Sequence, residues 1–129
     1  FRIQLPIGSS VPFHCTASGK VFLSSLRKKE CKTLVYSMRL EQYTHQTRIT
    51  PEELMVDIKQ CQKLGYAIDG EEFMVGMTAI AVPVLDAQRN FVAALATHGP
   101  SQRMSIAQAK ERLPSLQKGA ELLQNALFN

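Results

Sequence analysis

Residues 78–85, TAIAVPVL, and 91–97, FVAALAT, are two unbroken apolar runs separated only by DAQRN. Each is short and bounded by turn-forming residues. Both therefore read as strands buried on two faces, in the middle of a sheet. A five-residue connection makes them an antiparallel hairpin. A hairpin of that kind needs helices or further strands on both sides to keep water off it.

The rest of the chain supplies them. Residues 2–7, RIQLPI, alternate with Ile3, Leu5 and Ile7 on one face, which predicts a strand that Pro6 places at an edge or an end. From Cys15 to Leu26 the spacing turns helical, with Ala17, Val21, Leu23 and Leu26 apolar. A second helix is predicted over 28–38, with Leu34, Val35 and Met38 inward, and an ordered connection over 40–49. A third runs from 51 to 64. Thr50 caps it, Pro51 suits its first position and Glu53 completes a capping box. Leu54, Ile58, Cys61 and Leu64 form its inner face, and Gly65 stops it. Residues 66–69 predict a short strand ending in an Asp69-Gly70 turn. A C-terminal helical region begins at Ser105, with Gln108 at capping-box spacing and a break at Pro114. Leu116, Leu122, Leu123 and Leu127 carry its buried face, while Ile80, Val82, Val92 and Leu95 form the sheet core. The expected fold class is α+β: an antiparallel sheet with helices packed on its faces.

Composition narrows the function. At 129 residues the chain is long enough for one domain with a true core. With Phe rather than Met as its first residue, the chain is expected to be a fragment of a longer protein, and no signal peptide or membrane-spanning run is expected. The net charge of +4 is mild, and no basic run exceeds Arg27-Lys28-Lys29, which argues against direct nucleic-acid binding by this segment. Cys15, Cys31 and Cys61 form no CxxC pair and read as buried apolar residues of a reducing cytoplasm. His14, His45 and His98 do not pair with them at ligand spacing, so no metal site is expected.

HCTASGKVFLSSL, residues 14–26, raises the possibility of a phosphate-binding loop. That loop needs glycine where His14 stands and Ser or Thr where Val21 stands, so it is rejected. No other catalytic motif is present. His14 and Cys15 are neighbours that point apart, and Glu71-Glu72 reads as a solvated turn. Cys15 with His98 is the one nucleophile pair left open. The start of the helix near Thr16 or Ala17 has a different use. Its free N–H groups and positive end suit a carboxylate or phosphate, and the small residues Thr16, Ala17, Ser18 and Gly19 admit a ligand to the backbone. Tight packing of that helix on the sheet explains the same small residues equally well.

The runs PFHCTASGKVFL and YTHQTRITPEELMVDIKQCQKLGYAIDGEEFMVGMTAIAVPVLDAQRNFVAALATHGP resemble the C-terminal effector domain of IclR-type bacterial transcription regulators. The resemblance spans almost the whole chain. It implies a GAF-like fold, a small-molecule pocket, homodimers or homotetramers, and no cofactor. It also implies an upstream winged helix-turn-helix domain as the only route to DNA, and a longer N-terminal part of the effector domain than is present here. Carried over position by position, effector contacts fall on Ala17 and Ser18 at the helix start, Asp69 in G-Y-A-x-D, Met77 and Ala79 in the next strand, and Ala96 and His98 in the last strand. Regulators of small keto acids tend to carry small hydroxyl residues at the last two positions. Ala96 and His98 instead fit a larger or partly apolar acid, such as an aromatic or sugar acid.

The expected function is thus an effector-sensing and oligomerising domain of a cytoplasmic transcription regulator, with no catalysis. Three alternatives stand beside it: a GAF-like sensor with an output other than DNA binding, a Cys15-dependent enzyme, and a domain that only oligomerises around a collapsed apolar pocket.

Overall fold

In the computed structural model, residues 12–128 are described. The strand expected at 2–7 lies outside them. The elements in chain order are α1 (Ala17–Ser25), α2 (Lys28–Ser37), α3 (Pro51–Leu64), β1 (Ala67–Gly70), β2 (Met77–Leu85), β3 (Phe91–Pro100), α4 (Ile106–Glu111) and α5 (Leu113–Phe128). The two apolar runs are β2 and β3, and they pair antiparallel as expected. β1 pairs antiparallel with the other side of β2, so the described sheet has the order β1-β2-β3. β1 reaches only from Thr78 to Ala81 of β2. Pro83 therefore falls where β2 has a single neighbour, which spares the ladder a lost donor on both sides.

Side chains alternate between the two faces of the sheet. One face carries Ala67 and Asp69 of β1, Met77, Ala79 and Ala81 of β2, and Ala94, Ala96 and His98 of β3. α1 lies on it: Ala17 and Val21 join Ala67, Ala79, Ala81 and Cys61 in one buried cluster. The other face carries Ile80, Val82 and Val84, covered by Met104, Ala109 of α4 and Leu116 and Ala120 of α5. A third cluster, Leu23, Cys31, Val35, Leu54 and Ile58, seals α1 to α2 and α3.

Local chemistry sets the helix ends. Thr16 Oγ1 accepts from the N–H of Gly19 at 3.1 Å and opens α1. Thr50 accepts from Glu53 N–H at 3.2 Å, while the Glu53 carboxylate accepts from the Thr50 hydroxyl at 2.9 Å rather than from its backbone, a variation on the expected capping box. Gly65 ends α3 at φ 80°, a left-handed conformation that glycine adopts without penalty. Ser105 and Gln108 form the full capping box that opens α4. Pro114 stands in the first turn of α5, where its missing N–H costs nothing, and separates α4 from α5.

Four expectations are corrected. β3 is not buried on both faces, because it is the last strand of the described sheet. Val92 is 44% exposed at an irregularity where Phe91 and Ala93 pair with consecutive residues of β2. Leu122, Leu123 and Leu127 are exposed rather than buried, although Leu116 is buried. Leu64 is exposed at the end of α3. The strand continues through Gly70, and the reversal comes at Glu71, a non-glycine residue at φ 57°.

Candidate functional site

Strand register brings the expected contacts together. Asp69 pairs with Ala79, and Ala79 pairs with His98, so three of the seven residues form one row across the sheet. Ala96 pairs with Ala81 one step further along, and Met77 precedes Ala79 on the same face. Ala17 packs in the same cluster as Ala79, with Ala96 at its margin. Ser18 follows in the first turn of α1 and is half-buried. All seven positions thus belong to the α1 face of the sheet or to the helix that lies on it. Ala17 and Ala79 are each 2% exposed, so these two pack closely against their surroundings. His98 is exposed. A cleft of about 290 Å³ on the open edge of β1, lined by Lys20, Arg48, Asp57, Glu72 and Lys110 among others, includes none of the seven.

The first turn of α1 is shaped by its approach to Phe13. A Cβ at Gly19 would sit 2.4 Å from Phe13 Cα and 2.5 Å from its carbonyl oxygen, so only glycine fits. Helices leave their first N–H groups without internal partners. Here Thr16 serves Gly19, and the bonding within the helix begins with Lys20 N–H to the Thr16 carbonyl at 3.0 Å. The N–H groups of Ala17 and Ser18 stand outside the helical ladder.

Asp69 is 6% exposed, and its Oδ1 accepts from the backbone N–H of Glu72 at 2.7 Å. Burial pushes its carboxyl up to about 6, with Glu72 adding to the rise and the backbone N–H groups of Glu72 and Phe73, together with Lys20, opposing it. Cys15 is fully buried, and burial, then Asp69 and Glu72, push its thiol up to about 12. A thiol in that state is un-ionised near neutrality and a poor nucleophile, so the Cys15 alternative loses its chemistry. All three cysteines are free and buried, as expected. Among the described residues, no cluster of three or more His, Cys, Asp or Glu side chains is arranged to hold a metal.

Four residues beyond the expected seven organise this region. Glu72 is not in a solvated turn: it is 3% exposed. Its carboxylate accepts from Lys20 Nζ at 2.8 and 3.1 Å and from Gly70 N–H at 3.1 Å. Lys20, the lysine of the rejected phosphate motif, is itself 3% exposed. The Thr44 hydroxyl donates to the Glu71 carbonyl, and the Thr47 hydroxyl to the Glu72 carbonyl, each at 2.6 Å. YTHQT therefore ties the 40–49 connection to the reversal after β1. Hydroxyls four and seven residues before the start of α3 carry no local signal of such a partner. Only their place in the resembling motif marked them.

Comparison with known proteins agrees with this architecture. The family model for the bacterial transcriptional regulator IclR C-terminal domain matches residues 1–125. The acetate operon repressor of Salmonella typhimurium is 36% identical over 104 residues, covering 81% of this chain and 38% of the repressor. The Thermotoga maritima IclR structure superposes with a TM-score of 0.89 at 28% identity, covering 98% of this chain and 51% of that one. The inducer-binding domain of Acinetobacter PobR, a double mutant in complex with 3-hydroxybenzoic acid, superposes with a TM-score of 0.88 at 28% identity, covering 98% of this chain and 75% of that domain. The chain spans well under half the length of the curated relatives it matches. No described helix is long and apolar enough to cross a membrane. By family match, sequence identity and fold together, the chain belongs to the C-terminal domain family of the IclR bacterial transcriptional regulators.

Proposed function

We propose that this domain senses a small organic acid and passes its occupancy to DNA-binding domains elsewhere in a longer cytoplasmic protein. The observation that carries the reading is the row Asp69–Ala79–His98, flanked by Ala96 and Met77, on the face that α1 covers. The ligand's carboxylate would meet the N–H groups of Ala17 and Ser18 at the positive end of α1. Its body would rest on the alanines of β2 and β3. His98 would donate to a second polar group, more strongly when protonated.

Asp69 narrows the ligand further. Two ionised carboxylates held close repel each other. A buried acid titrating near 6 is therefore better suited to a hydroxyl of the ligand than to its carboxylate. A hydroxy acid with an apolar body satisfies both ends of the site. Binding would favour one arrangement of a homodimer or homotetramer, and with it one operator affinity. The size of the response is bounded by the difference in affinity for the two arrangements.

The burial of Ala17 and Ala79 favours a second reading, in which the α1 face has closed and the domain serves oligomerisation alone. Thermal unfolding with 3-hydroxybenzoate, pyruvate and gluconate, each in excess, separates the two. A ligand at 100 times its dissociation constant adds roughly 2.7 kcal/mol. A shift with one acid that His98→Ala abolishes supports the sensing reading. No shift with any of the three favours the closed, oligomerising domain.

A further inference from the structure

Glu72 is where the two acid-recognising parts of the proposed site are joined. Its side chain holds Lys20, which lies one turn along α1 from Ala17 and Ser18. Its own N–H holds the Asp69 carboxylate, and its carbonyl is held by Thr47. The backbone reaches this geometry through Glu71 at φ 57°, a conformation unfavourable to a non-glycine residue that persists only where its surroundings impose it. Lys20 also lies 3.5 Å from Asp57 of α3, which is 3.0 Å from Arg48. So α1, α3 and the reversal after β1 converge on one ammonium group.

A fully buried ion pair is a poor way to gain stability, because desolvation cancels most of the attraction and apolar replacements of equal volume often do as well. What it does well is hold directions. Here it fixes the reversal that presents Asp69 against the helix that presents the Ala17 and Ser18 amides. We infer that Glu72, held by Lys20, is the positioning residue of the effector site and sets where the Asp69 carboxylate stands relative to the first turn of α1. The placement itself is independent of any ligand. Its effect on binding rests on the sensing function proposed above.

The test replaces the pair as a whole, with K20M/E72M in the 129-residue chain. This avoids leaving one buried charge alone, and the E72Q single variant serves as a second probe if the double variant fails to fold. Two readouts are taken. The first is the Asp69 side-chain carboxyl followed by ¹³C NMR against pH. The charged and titratable groups facing it are Lys20 and Cys15 on the α1 side, Glu72 at the reversal and His98 two strands away in the same row. Removing Lys20 and Glu72 together takes away one influence of each sign, so the midpoint then reports burial of the carboxyl. The wild-type midpoint is expected at about 6. In K20M/E72M the released carboxyl hydrates, and its midpoint falls toward the ordinary 3.8. An unchanged midpoint in a folded variant overturns the inference.

The second readout is affinity for 3-hydroxybenzoate, pyruvate and gluconate by calorimetry. Losing one hydrogen bond to a charged group weakens whichever acid binds by about ten- to a hundredfold. Wild-type affinity in the double variant makes the pair merely structural and overturns the inference. If no acid binds the wild-type chain, the sensing function falls while the NMR midpoint still decides the positioning role. E72Q removes the Glu72 charge alone, which lowers the Asp69 midpoint by itself, so this variant is read by affinity: a loss of about tenfold or more is expected, and wild-type affinity overturns the inference as well.

Discussion

The two faces of this sheet are built from different materials. Toward α4 and α5 the strands offer Ile80, Val82 and Val84, which meet Leu116, Met104 and Ala120 in a continuous aliphatic layer. Toward α1 they offer Ala67, Ala79, Ala81, Ala94 and Ala96. Burying a large aliphatic side chain contributes about 1.5–3 kcal/mol, and burying a methyl far less. The first face therefore stabilises the fold. The second lets a helix come close, and a row ending in Asp69 and His98 crosses it. α1 gains its stability from its outer contacts to α2 and α3, while the buried ion pair fixes its direction against the sheet. A face assembled this way is held in place by a few specific bonds, which suits the ligand-responsive role proposed above.

The largest effect is expected where the thin face depends on a single interaction. Lys20→Met strands the Glu72 carboxylate at 3% exposure and should cost about 3–5 kcal/mol. Urea unfolding measures it, and a cost below 1 kcal/mol would mean that water reaches Glu72 in solution. On the thick face, Ile80→Ala at 0% exposure should cost about 2–5 kcal/mol through lost burial and a cavity. If Ile80→Ala proved neutral, the contrast between the faces would collapse.

Asp69 gives the alanine face a pH signature that the other face lacks. Its carboxyl titrates near 6 when folded and at 3.8 when ordinary. The folded state therefore holds the proton more tightly, and the group's contribution to stability is fully present below about pH 4. It is lost as pH rises through 6, an effect of about 2–3 kcal/mol. Unfolding free energies at pH 4, 5, 6 and 7 should show this slope, and Asp69→Asn should flatten it. A wild-type slope of the opposite sign over that window would refute the buried, raised acid.

Next in size is Ala79→Leu. If α1 sits tightly on the alanines, the added bulk costs about 1–3 kcal/mol. If the substitution is tolerated while a bound acid is lost, the space between α1 and the sheet is real and Ala79 lines it. One substitution thus distinguishes a closed face from a binding face.

Much of this was legible in the sequence, for identifiable reasons. The hairpin followed from two apolar runs and a five-residue gap. The starts of α3 and α4 followed from side chains that act on neighbours three residues away, and the end of α3 from a glycine whose own backbone takes φ 80°, all within the range over which sequence speaks directly. That the proposed effector positions share one face was implied only by family resemblance, since an alanine carries no chemistry of its own to announce it. What stayed hidden were partners far apart in the chain. Lys20 and Glu72 are 52 residues apart, and each alone reads as a solvated charge. Thr44 and Thr47 were hidden in the same way, bonding to carbonyls 25 to 27 residues on.

The outer end of α5, like Leu64 at the end of α3, is a place where helical spacing misled, and it yields the smallest expected effect. Leu116, Ala120, Leu123 and Leu127 follow one another at intervals of three and four, the pattern of a single buried stripe. Leu116 and Ala120 are buried, but Leu123 is 41% and Leu127 61% exposed. The reason is length rather than rotation. The Gln124 side chain accepts from the N–H of Leu85, the last residue of β2, so the final turn of α5 runs past the strand beneath it. A side chain without a floor contributes little, and Leu127→Gln should change the unfolding free energy by no more than about 0.5 kcal/mol. A cost of about 2 kcal/mol or more would mean that this turn is covered in solution. Repeating the measurement across protein concentration would then show whether a second copy of the chain is the cover.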